Sequence, residues 1–82
     1  MVSGVMSLGN APLHTPLTLV TCLIEPGLRS RLATLGLRTG SPLEVVLTTA
    51  GHGRVIGVAG SRIAMDVSVL RQLHVKLASG GE

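Results

Sequence analysis

The side chains able to do chemistry are few and scattered. The histidines are His14, His52 and His74; the acids are Glu25, Glu44, Asp66 and Glu82; the one thiol is Cys22. No pair stands at the spacing of a metal motif such as His-x-x-x-His or Cys-x-x-Cys. A dedicated transition-metal site wants several such ligands converging, with further groups orienting them. Neither a metal nor a cofactor is therefore expected. His52, between Gly51 and Gly53, is the one candidate for adventitious metal pickup, and an ordinary surface histidine is the simpler reading. Cys22 sits in an apolar run, where a thiol is inert packing. Four acids leave little from which to build acid–base chemistry, and none lies beside a nucleophile in sequence. The chain is expected not to be an enzyme. Gly51-His-Gly53 reads as turn punctuation and not as a phosphate cradle.

With catalysis set aside, composition points to a binding module. The 82 residues suit one domain, and 45% of them are hydrophobic. Phe, Tyr and Trp are absent, so the core must be aliphatic. Only 13% are charged and the mean hydropathy is +0.55, so apolar surface for a partner is expected. The net charge of +3 suits an acidic partner or an anionic surface. Arg29, Arg31 and Arg38 form a candidate basic ridge. Nucleic acid is disfavoured, because there are no aromatics to stack on bases and only one substantial helix. A single cysteine fits a reducing cytoplasm. The start lacks a basic, apolar leader, and no run reaches the ~18–20 apolar residues of a membrane span.

Residues 1–15 carry no periodicity and are expected to be a flexible tail; residues 78–82 form a second tail. The domain is placed at 16–77. Leu17 to Ile24 reads as a strand, apolar on both faces. Pro26 suits the first position of a helix, with Glu25 at its positive end. Leu28, Leu32 and Leu35 fall at i, i+4 and i+7 on one face. Gly36 ends the helix and Leu37 packs back on Leu32 in a Schellman stop. After a turn at Arg38–Pro42, Leu43, Val45 and Leu47 alternate inward. A hairpin tip follows at Ala50–Gly53, then a return strand, in which Gly57 marks a bulge. A turn at Gly60-Ser61, a short strand to Met65, a helical turn capped by Asp66 and a last strand over His74–Leu77 complete the chain. The fold class is mainly β: about five short strands, one inserted helix and a short helical turn. Closure into a small barrel would remove exposed edges.

The segment Leu28-Arg-Ser-Arg-Leu-Ala-Thr-Leu-Gly-Leu-Arg-Thr-Gly40, then Leu43-Glu-Val-Val, Gly60-Ser-Arg-Ile-Ala-Met65 and Leu73-His-Val-Lys, resembles the FeoA family over residues 16–77. Two positions depart from the family pattern: Ala50-Gly-His-Gly53 replaces a proline-bearing loop, and His14-Thr-Pro16 replaces a Lys/Pro-Gly turn. The resemblance implies an SH3-like barrel and an accessory role in bacterial Fe(II) uptake. It implies contact with the cytoplasmic part of a membrane ferrous iron transporter that carries a GTPase domain. The expected location is then the cytoplasm or the periphery of the inner membrane.

The expected partner-binding residues are Leu28, Leu32, Leu35 and Leu37, lining or flooring a groove between helix and sheet, with Arg29, Arg31 and Arg38 on its rim; the alternative is that all four leucines are core, the simpler reading for Leu32 and Leu35 taken singly. Self-association through the same surface is a further expectation. The alternative functions are an SH3-like domain regulating a metal-dependent repressor and a nucleic-acid-binding small barrel.

Overall fold

The computed structural model describes residues 4–78. The order is β1 (Met6–Ser7), β2 (Leu17–Cys22), α1 (Pro26–Thr34), β3 (Pro42–Thr48), β4 (Arg54–Val58), β5 (Ser61–Met65), α2 (Val67–Leu70) and β6 (Leu73–Leu77). Short 3-10 turns occupy Leu8–Asn10 and Ala50–His52. The strands form one antiparallel sheet in the order β1-β6-β2-β3-β4-β5. This is the expected SH3-like class, with a sixth strand added.

Three expectations are corrected. First, the described part of the expected N-terminal tail is not a tail from Met6 on. Met6 pairs with Val75, and Leu8 and Ala11 are fully buried in the core. A small aliphatic core with no large aromatic side chain gains apolar area from each further leucine it encloses, and Leu8 is one of them. Residues 1–3, and 79–82 of the expected second tail, lie outside the described residues.

Second, the ladder does not close. β1 has only two residues, and the chain then turns away, so no strand reaches β5. Side-chain and bridge contacts span part of the gap. The Arg54 guanidinium on β4 donates to the carbonyl of Leu8 at 3.2 Å and to that of Ala11. Leu13 makes a parallel bridge to Val45.

Third, strand facing differs from simple alternation. Register shifts lie between Leu19 and Thr21 on β2 and between Val45 and Leu47 on β3. An extra residue reverses the facing of those beyond it. Leu43 and Val45 are buried as expected, but Leu47 is exposed. The bulge expected at Gly57 is thus on the facing strand. Likewise β2 buries Leu17 and Leu19 while Thr18 and Val20 are only half-buried, so it is not enclosed on both faces. The β4–β5 turn is Ala59-Gly60, one residue earlier than expected, with both residues at positive φ (50° and 81°). That is the conformation of a two-residue type I′ hairpin.

The candidate interaction surface

Local chemistry sets α1. The Glu25 carboxylate accepts the Gly27 N–H at 3.0 Å, and Pro26 opens the helix. At the other end the Leu37 N–H donates to the Leu32 carbonyl at 2.8 Å, and the Gly36 N–H to the Ala33 carbonyl at 3.0 Å. Gly36 sits at φ 99°. This is the expected Schellman stop. The Ser41 hydroxyl then donates to the Gly36 carbonyl (2.9 Å) and accepts the Arg38 N–H (3.0 Å), fixing the turn into β3.

These stops sort the leucines. Leu32 and Leu37 are buried and anchor the helix from below. Leu28 is half-buried against the core. Leu35, the C-cap residue, is 43% exposed. Leu23, just before the helix, is 62% exposed. Sequence reasoning did not single out Leu23, because it was counted inside a longer strand. Its signal was present in the pair Glu25-Pro26, which ends any strand nearby.

The arginines also divide. Arg29 donates to the Ile24 carbonyl and Arg38 to the Ala33 carbonyl, each at 3.3 Å. Arg38 so places a cation at the negative end of α1. The Arg31 guanidinium makes no hydrogen bond or ion pair with any described residue. The surface is thus apolar at both ends of the helix, with Arg31 exposed between them. Two open clefts of about 470 and 430 Å³ have no α1 residue in their lining.

The remaining candidates stay apart. His52 is exposed at φ 69° in the Ala50–His52 turn, and His14 is exposed at φ 54° before β2. His74 is half-buried on β6, where it pairs with Thr21 and Ser7. Among the described residues no three of His, Cys, Asp and Glu converge. Cys22 is free and half-buried, packed against the core. Asp66 caps α2: it accepts the Val69 N–H at 3.0 Å and the Ser68 hydroxyl at 2.9 Å. The Val69 N–H first, then the Ser68 hydroxyl, hold its carboxyl below the usual range. No helix of the described residues is long and apolar enough to cross a membrane.

Fold and surface together define a small SH3-like β domain that displays the capped helix α1. The FeoA domain family model matches residues 6–77, including the N-terminal strand, and the chain belongs to the FeoA family. That family is an accessory, non-catalytic one associated with ferrous iron transport systems. No curated protein matches the sequence. Among solved structures, an iron uptake regulatory protein (FeoA) is 23% identical with TM-score 0.76, covering 90% of this chain and 99% of that one. The FeoA protein of Chlorobium tepidum is 24% identical with TM-score 0.82, covering 94% and 74%. The manganese regulator SloR shares the fold at 15% identity and TM-score 0.72; the match covers 88% of this chain and 34% of that one.

Proposed function

We propose that this protein is a non-enzymatic accessory factor of a bacterial Fe(II) uptake system. It acts by protein–protein contact with the cytoplasmic part of the membrane ferrous iron transporter, the part that bears the GTPase domain. The observation that carries the reading is the family match over residues 6–77. The ferrous ion is the transporter's cargo, and the role left to this chain is to modulate the protein that moves it.

The contact surface is the α1 face. Leu23, Leu28 and Leu35 supply the apolar area, and Arg31 supplies an unengaged cation. Arg29 and Arg38 border it, while Leu32 and Leu37 hold it up from the core. Exposed apolar groups beside a cation suit an acidic, partly apolar segment of the partner.

Capture from solubilised membranes tests this, with wild type and Arg31→Glu in parallel. Retention of a large GTPase-bearing membrane protein by wild type, weakened by Arg31→Glu, supports the reading. Retention of a soluble metal-responsive regulator instead supports the second reading, that of an SH3-like domain serving such a regulator. The shared fold with SloR is what keeps that reading in view.

A further inference from the structure

The sheet order leaves β5 as an edge strand, paired with β4 on one side only. Its five residues are Ser61-Arg62-Ile63-Ala64-Met65. The β4–β5 loop has two residues, and Val58 faces Ser61 across it. In such a hairpin the flanking pair is hydrogen-bonded, and bonded and non-bonded pairs alternate from there. The backbone groups of Ser61, Ile63 and Met65 therefore face β4. Those of Arg62 and Ala64 point outward, and they have no backbone partner among the described residues. The side chains of Arg62 and Ala64 are exposed as well.

Natural edges are usually blunted by exposed charges, proline, a bulge, an inward charge, a covering segment or extreme shortness, and Arg62 is the one charge that β5 carries. β5 has no proline, and its ladder with β4 runs over five pairs without a shift in register. The opposite edge, β1, is only two residues long. β5 is thus the one long open edge among the described residues.

We propose that this edge is a homodimer interface, in which two copies pair their β5 strands antiparallel about Ile63. The register follows from charge and geometry. Centring on Ile63 sets Arg62 opposite Ala64 of the second copy, and Ala64 opposite Arg62 of the second copy. Both are outward-facing positions, so each pair exchanges two backbone hydrogen bonds. Centring on Arg62 would instead oppose two guanidinium groups, which is unfavourable. In the Ile63 register the two Ile63 residues form a non-hydrogen-bonded pair, where side chains approach closely. Ile63 is already half-buried against the core, and the second copy would cover its open side.

Asp66 adds charge complementarity. It follows β5 in extended conformation (φ −85°, ψ 172°), so alternation puts it on the same face as Arg62 and Ala64. Arg62 then lies diagonal to Asp66 of the second copy on one side and to Arg62 of the second copy on the other; the two-fold axis gives two of the attractive pairs and one of the like-charge pair. The spacing of diagonal neighbours is within reach of an arginine. This interface is separate from the α1 face and does not rest on the transporter reading.

The test is sedimentation equilibrium on the whole chain across a concentration series reaching millimolar, alongside amide hydrogen exchange at its two ends. Dimer formation is expected, with the Arg62 and Ala64 amides protected at high concentration and fast-exchanging at low. Ala64→Pro removes an outward N–H at an edge position, so it should abolish the dimer while keeping a native circular dichroism spectrum. Arg62→Glu changes an exposed side chain and sets like charge beside Asp66 of the second copy. It should weaken the dimer about tenfold or more, and it decides the matter if Ala64→Pro fails to fold. A monomer at every concentration overturns the proposal. So does a dimer that survives Arg62→Glu unchanged, or one that Leu35→Glu breaks while Ala64→Pro does not.

Discussion

A Cβ placed on Gly36 would stand 2.6 Å from the Cβ of Ala59. The C-terminal stop of α1 is thus seated directly on the β4–β5 turn, and both contacting residues have positive φ (99° and 50°). The helix is held by this backbone approach at one end and by buried Leu32 and Leu37 from below. Two separate costs meet at Gly36: a left-handed backbone that disfavours a side chain, and a filled space.

Gly36→Ala should therefore destabilise the domain by about 2–4 kcal/mol, more than either cause alone. Ala59→Gly in the same chain should restore only the steric part. Urea unfolding of the four members of that cycle measures the coupling. Additive effects would show that the contact contributes nothing.

Leu8→Ala should cost about 2–5 kcal/mol, the range for truncating a fully buried leucine. Thermal and urea melts would detect it. A loss near zero would mean that the segment before β2 is a tail after all.

Arg54→Leu should loosen the same segment by another route. The guanidinium spans from β4 to the Leu8 and Ala11 carbonyls, and hydrogen bonds from a charged donor are worth about 1.5–3 kcal/mol. Faster amide exchange over residues 6–11 in this variant, with β3 and β4 amides unchanged, is the expected pattern.

Asp66→Asn should lower stability at neutral pH and match wild type in acid. The folded carboxyl titrates below its unfolded value because the Val69 N–H and the Ser68 hydroxyl favour the anion. A depressed folded pKa contributes stability above the unfolded value of about 3.9, and the contribution fades as pH falls through the folded one. Denaturation midpoints of the two proteins between pH 7 and pH 2 should converge only at the acid end.

The surface and the core under α1 should separate cleanly in experiment. Arg31→Glu and Leu35→Ala should reduce transporter capture and leave the melting temperature nearly unchanged. Leu32→Ala and Leu37→Ala should cost about 2–5 kcal/mol each. Loss of stability from the first pair with capture intact would remove α1 from the proposed interface.

Much of the helix was legible because its signals are local. Glu25-Pro26 at the start and Leu35-Gly-Leu37 at the end act within a turn of where they sit, and both behave as read. The Asp66 cap was legible for the same reason. The strand segments after Pro16 were found with their approximate bounds, since short apolar runs between Gly and Pro have few other readings, while β1 was not. The seven residues expected at the partner surface proved to be of two kinds. Sequence spacing put Leu32 and Leu35 on one stripe, but the C-cap turns Leu35 outward while Leu32 goes to the core.

What the sequence by itself determined is therefore the element order from β2 on, the caps, the family and the aliphatic character of the core. Tertiary structure alone decided the rest. Leu8 and Arg54 lie 46 residues apart, and no local pattern links them. The facing of Leu47 depends on a one-residue slip against β4, which the alternation within β3 cannot reveal. The open edge at β5 exists because β1 is too short to close the sheet. Each of these depends on which strand meets which, a property of burial summed over the whole chain and not of any window along it.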